Sequence, residues 1–199
     1  MARLPDPALA DRRRRQILDA AIACFRRRGF HQATMAEICA EAEISAGALY
    51  RYFRSKAEII GAIAEDKRSE SDEAFLRNAE KQGLIEALAG SARDFFEKFA
   101  QGDGSLIAEI IAEAIRDETV AEPLRVTDSR RLTLLVSAIA AAKARGEVDP
   151  RLDPETAANV MMAAFEGMGL RRAFLGDSDV DAAVDQFRTL AERYLKPQP

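Results

Sequence analysis

The apolar positions of this chain recur at helical spacing almost from end to end. Between Gln16 and Arg28, Ile17, Ala20, Ala21, Cys24 and Phe25 fall at i, i+3, i+4, i+7 and i+8, which places them on one face of a helix. Ile38, Ala42, Ile44, Leu49 and Phe53 are spaced for two short helices packed at a steep angle. From Lys56 to about Gln82 a longer helix is predicted, amphipathic through Ile59, Ile60 and Ile63 and increasingly charged afterwards. After Gly83 the apolar set Leu84, Ile85, Leu88, Ala92, Phe95, Phe96 and Phe99 predicts another, ended by Gly102 and Gly104. Leu106–Arg116 follows with a broad apolar face, then a segment that has Pro123 near its start and closes at Arg145-Gly146. Asp153-Pro154-Glu155 opens the next helix, running to about Leu175, and Val180–Leu195 forms the last. No strand-like alternation breaks the pattern, so the expected fold is all-α with about nine helices.

The stretch Thr34–Lys56 carries the chemistry. Thr34 followed three residues later by Glu37 is a capping-box signature for a helix start, and Ser55 with Glu58 repeats it. Glu43-Ile44 makes the turn and Ser45 caps the second short helix, Ser45–Tyr52. The outward residues of that helix, Ala46, Gly47 and Ala48, are small enough to bring backbone close to a groove. Tyr50, Arg51, Tyr52 and Lys56 have the length and donors to reach phosphates or base edges.

Residues 12 to 60 resemble the DNA-binding signature of the tetracycline-repressor (TetR) family of bacterial regulators. The resemblance runs through Arg28, Gly29 and Phe30, then Thr34, Met35 and Ile38, then Ser45, Gly47, Leu49, Tyr50, Tyr52, Phe53, Ser55 and Lys56. It implies a three-helix helix-turn-helix head, residues 1–56, and a helical ligand-binding and dimerisation body, residues 57–199. It further implies that Thr34, Tyr50, Tyr52 and Lys56 hold phosphates, whereas Ala46, Gly47, Ala48 and Arg51 face bases. One position departs from the pattern. Glu43 stands where the family usually has glycine, and a side chain in a left-handed turn costs on the order of 1–2 kcal/mol.

Charge sharpens this picture. The whole chain is acidic at a net −4, yet residues 1 to 56 hold 11 Lys or Arg against 6 Asp or Glu. The remaining 18 against 27 leave the rest at −9, so one end attracts phosphate and the other is repelled by it. Residues 1 to 11, with Pro5 and Pro7, read as a flexible arm before the basic run Arg12–Arg15. No run approaches the roughly 18 apolar residues that cross a bilayer, and Met1–Asp11 lacks a signal-peptide core, so a cytoplasmic protein with no membrane partner is expected. Cys24 and Cys39 suit small apolar fillers better than a disulfide. His31, the lone histidine, has no companion ligands and reads as a turn residue; no metal or cofactor is expected.

In the body, the helix from Asp153 to Leu175 is apolar on nearly every side, with Val160, Met161, Met162, Phe165 and the small residues Ala163, Ala164, Gly167 and Gly169. Such a helix buries more than one face, one within the subunit and one against a partner, so a homodimer through residues 155–195 is expected. Phe95, Phe96, Phe99, Ile107, Ile111, Met161, Met162 and Phe165 are candidates for lining an effector pocket, with Arg93, Glu109, Glu113, Asn159 and Arg171 as orienting polar groups. The expected function is a ligand-responsive repressor, released from a palindromic double-stranded operator by a small, mostly apolar molecule. Two other readings compete: an all-α enzyme using the i, i+4 carboxylates Glu109 and Glu113, and a small-molecule-binding protein without DNA binding. The body's lack of histidine and of a second carboxylate–histidine element disfavours the first, the basic head the second.

Overall fold

The computed structural model describes residues 7–66 and 68–196. Among them the fold is all-helical. In chain order the helices are α1 Pro7–Gln32, α2 Met35–Glu41, α3 Ala46–Tyr52, α4 Lys56–Asp66, α5 Arg68–Lys81, α6 Leu84–Lys98, α7 Gly104–Arg116, α8 Glu118–Ala144, α9 Pro154–Leu175 and α10 Val180–Leu195. A π-helical turn, Phe99–Asp103, joins α6 to α7. α4 and α5 together span the single long helix expected from Lys56 to about Gln82, in keeping with the expected nine, and flank residue 67, which lies outside the described residues. The first six residues of the expected N-terminal arm also lie outside them. Residues 7 to 11 are helical, so the arm read from Pro5 and Pro7 is shorter than expected: Pro7 suits a first helical turn, where its missing N–H costs nothing.

Contacts divide the chain into two compact units. The first takes the described residues up to Asp66 together with Leu106–Arg125; the second takes those from there to Ser105 and from Val126 onward. The first compact unit thus takes in α4 and the stretch 106–125 beside the described residues up to 56. The reason is visible in the first unit's core. Ile17, Phe25, Ile38, Leu49 and Ile59 are buried together with Val120, and Leu106, Ile110, Ala114 and Leu124 pack against them. Pro123 belongs to the same contact. It sits inside α8, whose start is held by Asp117, the carboxylate accepting from the Thr119 N–H at 2.8 Å. A Cβ on Gly61 of α4 would lie 2.5 Å from Pro123 Cβ, so only glycine lets these helices meet. Gly61→Val is expected to destabilise the protein by roughly 1–3 kcal/mol through overpacking. A urea midpoint equal to that of the wild type would show that α4 and α8 part without cost.

The second unit gathers α5, α6, α9, α10 and most of α8 around Leu88, Phe96, Ile139, Met161, Phe165 and Phe187. α9 is capped by Asp153, which accepts from the Thr156 N–H at 2.8 Å, and ends at Gly176 in a left-handed conformation, φ 66. These are the caps expected from Asp153-Pro154 and from a C-terminal glycine.

Candidate nucleic-acid interface

The first unit builds a helix-turn-helix from local hydrogen bonds. Thr34 closes its capping box: Oγ1 accepts from the Glu37 N–H at 3.2 Å, while the Thr34 N–H and hydroxyl donate to Glu37 Oε2 at 3.0 and 3.1 Å. These bonds hold the Glu37 carboxyl below its usual range, and Arg28 Nε adds an ion pair at 3.0 Å. A phosphate arriving at this helix start would meet a carboxylate already seated there. In the turn, Glu43 has φ 50, the one left-handed residue other than glycine among the described residues. Gln16 of α1 braces the turn, Nε2 donating to the Ala42 carbonyl at 2.7 Å. Ser45 then caps α3, Oγ accepting from the Ala48 N–H at 3.3 Å.

α3 buries Leu49 completely and turns the expected contact residues outward. Ala46, Gly47, Tyr50 and Arg51 are exposed, and Ala48 and Tyr52 are half-buried. The Arg51 guanidinium stands 5.4 Å from the Tyr52 ring centre, a cation–π pair that fixes its direction. A Cβ on Gly47 would meet nothing within 4 Å. Lys56 is placed differently from a free surface cation. Its Nζ donates to the carbonyls of Phe30 at 2.6 Å and His31 at 2.9 Å and lies 4.8 Å from the Phe30 ring centre. Burial pushes its pKa down, while the charge of Glu113 opposes that shift. Two of its three donors are thus spent within the protein. Several arginines are likewise engaged. Arg27 pairs with Glu41 at 2.8 Å, and Arg14 lies 5.8 Å from the Phe53 ring centre.

The candidate pocket residues sort into two groups. Phe95, Phe96, Phe99, Met161, Met162 and Phe165 all belong to the second unit, where Phe95 stacks on Phe165 at 4.1 Å between ring centres and contacts Phe99 at 4.5 Å. Ile107 and Ile111 belong to the first unit instead, and Ile111 is exposed. Periodicity identified their helix face but not which unit it packs with. Of the six in the second unit, Phe95, Phe96, Phe99 and Phe165 form one chain of ring contacts, and the Arg131 guanidinium lies 5.7 Å from the Phe165 ring centre. Glu166 stands beside that guanidinium, and burial pushes its carboxyl up while Arg131 pulls it down. Of the polar candidates, Arg93 pairs with Asp181 at 2.7 Å and Asn159 donates to the Glu155 carbonyl at 2.9 Å.

Residues 17–63 match the family model for bacterial regulatory proteins of the tetR family, and residues 85–196 match that for the C-terminal domain of BetI-type transcriptional repressors. The chain belongs to the TetR family. Among its relatives, the HTH-type transcriptional regulator UidR of Escherichia coli K12 is 28% identical over 155 residues, covering 78% of this chain and 79% of the relative. The HTH-type transcriptional regulator TtgR of Pseudomonas putida is 28% identical over 193 residues, covering 88% and 90%. The solved structure of Salmonella enterica GusR superimposes with a TM-score of 0.79 at 30% identity, over 96% of this chain and 98% of that one.

The protein is therefore a DNA-binding transcriptional regulator, and regulators of the TetR family are not enzymes. The carboxylate pair that motivated the enzyme reading has other work here. Glu109 Oε2 accepts from the Phe30 N–H at 2.7 Å, and Glu113 Oε2 lies 3.9 Å from His31 Nδ1. Cys24 and Cys39 are both buried and free, and burial pushes the Cys24 thiol up. Among the described residues no helix is long and apolar enough to cross a membrane. Sequence reasoning placed Gln16 in the head without its bracing bond to the turn, and assigned Glu109 to the body. Gln16 carried no visible signal, being one polar residue among many on α1; Glu109 carried a misleading one in its i, i+4 partner.

Proposed function

We propose that this TetR-family protein is a dimeric repressor whose two α3 helices enter successive major grooves of a palindromic operator, with half-sites about one helical turn apart. Residues 1–56 supply the contacts, and residues 57–199 supply dimerisation and effector binding. Ala46, Gly47, Ala48 and Arg51 face bases, while Ser45, Tyr50 and Tyr52 flank the backbone. Thr34 reaches phosphate when its hydroxyl turns from Glu37 to the DNA, and Lys56 does so through its remaining N–H. The protein works in the cytoplasm, beside the DNA it regulates. A small, mostly apolar molecule settling among Phe95, Phe96, Phe99, Met161, Met162 and Phe165 weakens that hold. Ligand and DNA then oppose each other by the same factor, commonly about 5- to 150-fold.

The observation that carries the DNA reading is Gly47. A glycine inside a helix costs up to about 1 kcal/mol relative to alanine, and at this site no neighbouring atom of the protein demands it. Its use lies outside the subunit, where a missing Cβ lets backbone approach a base edge. Gly47→Ala is expected to leave melting unchanged or slightly raised while weakening binding to DNA from upstream of its own gene about tenfold, the scale of one lost close contact. A gel-shift showing native affinity for Gly47→Ala would remove Gly47 from the interface.

A further inference from the structure

Phe30 follows the break in α1 and leads to α2, and both polar groups of its backbone are held by charged side chains from distant parts of the chain. Its N–H donates to Glu109 Oε2 at 2.7 Å, and its carbonyl accepts from Lys56 Nζ at 2.6 Å. The break itself is shaped for the carboxylate. Gly29 has φ 76, and a Cβ there would stand 2.6 Å from Glu109 Oε2 and 2.8 Å from Oε1, so the glycine gives the carboxylate its seat. The stretch that carries Glu109 is anchored independently, through buried Val120 and the contact between Gly61 and Pro123.

We infer that Glu109 is a positioning residue for DNA binding, and that the DNA-holding unit of this protein is discontinuous, built from the segment ending at Asp66 with Leu106–Arg125 as its third support. The carboxylate touches no DNA. It fixes the peptide from which α2 departs, and α2 in turn carries the turn and α3. Lys56 works on the next peptide, so an acid and a base hold the two peptide groups that flank the Phe30 Cα and set the orientation of that residue's backbone. A single rigid link of this kind decides the angle at which α3 is presented. This inference rests on the DNA-binding reading above, and wild-type protein tests that reading separately.

The experiment uses the full-length protein and a double-stranded fragment from upstream of its own gene. If the wild type retards no such fragment, the operator reading fails and the role given to Glu109 falls with it. Given retardation, Glu109→Ala is expected to bind about tenfold more weakly at a temperature well below its melting point, the effect of leaving one donor unpaired. The slope of log affinity against log salt should stay as in the wild type, because no phosphate contact is removed. Glu109→Gln keeps an acceptor oxygen and should bind within about twofold of wild type. Native affinity for Glu109→Ala with only a lowered melting point would reduce the residue to a stabiliser. Tighter binding with a changed salt slope would make it a charge acting on DNA directly. Either result overturns the inference, as does Glu109→Gln binding as weakly as the alanine variant. Should Glu109→Ala fail to fold, Glu109→Asp decides: its arm is one methylene too short to hold Phe30, so weakened binding supports the inference and native binding overturns it.

Discussion

Gly169→Arg is expected to unfold the C-terminal unit outright. Gly169 is buried on α9, and a Cβ there would lie 2.5 Å from Phe95 Cε1 and 3.2 Å from Phe99 Cζ. Those rings cannot retreat freely, since Phe95 is stacked on Phe165 and Phe165 meets Phe187 at 5.8 Å between ring centres. Even Gly169→Ala must displace them. Overpacking of this kind costs about 1–3 kcal/mol, against which a helical alanine returns up to about 1 kcal/mol. The alanine variant should therefore melt a few degrees below the wild type, or about 2–4 °C for each kcal/mol lost. Arginine adds a charge with no partner to a site lined by aromatic rings, a penalty of several kcal/mol, comparable to the whole stability of a domain. Circular dichroism and a thermal melt check the pair. An arginine variant with native helicity and melting would mean that α9 rotates or shifts to expose position 169, and that the aromatic packing is looser than its distances imply.

The same helix shows how far sequence alone reaches. Asp153, Pro154 and Gly176 announce the ends of α9 through capping chemistry, which is local and therefore legible. The choice between its faces is not. Gly167 and Gly169 are both glycines in an apolar run, and both read as sites of close approach to a partner. Two residues along a helix are separated by about 200° of rotation, so they cannot share a face. Gly169 proves to be internal, while Gly167 is exposed with nothing within 4 Å of an added Cβ. The sequence does not separate them, because each glycine has both apolar and charged residues within one turn: Glu166 and Arg171 near Gly167, Glu166 and Arg172 near Gly169.

The head follows the same division. The capping box at Thr34, the cap at Ser45 and the strained turn at Glu43 are fixed by residues a few positions apart and are present, whereas the box expected at Ser55 is half formed: its Oγ accepts from the Glu58 N–H at 3.2 Å, but the Glu58 carboxylate accepts from the Arg54 N–H. Lys56 announced a cation but not its partners, because Phe30 and His31 lie 26 and 25 positions away. Glu109 lies 79 positions from the N–H it accepts. The apolar face of 106–125 would have the same period whichever unit it joined, so its membership of the head had to come from packing. Composition located the positive end correctly, yet could not say that Arg27, Arg28 and Lys56 are partly committed to Glu41, Glu37 and backbone carbonyls.

Gly167→Glu is expected to dissociate the dimer and, with it, tight operator binding. The exposed side of α9 carries Val160, Ala163, Gly167, Arg171 and Phe174, three or four residues apart, and Phe174 is 87% exposed in the single subunit. A mostly apolar stripe of that length marks a partner surface. In a two-fold dimer the same patch meets its own copy, so one substitution places two carboxylates near each other across the interface. Arg171, one turn along the same face, offsets part of that repulsion, yet burying carboxylates in a mostly apolar contact still costs free energy. The fold itself should survive, because position 167 has open space around it within the subunit. Light scattering at micromolar concentration should then report a monomer with native circular dichroism. Operator affinity should fall by about 10²- to 10⁴-fold, the loss that follows when two linked heads become two independent ones. Gly167→Ala supplies the control: a methyl group adds no charge and little bulk, so mass and affinity should stay close to those of the wild type. A Gly167→Glu protein that remains dimeric would put the interface on another face. A monomer that still binds the operator with native affinity would mean that one head suffices and that dimerisation serves some other purpose.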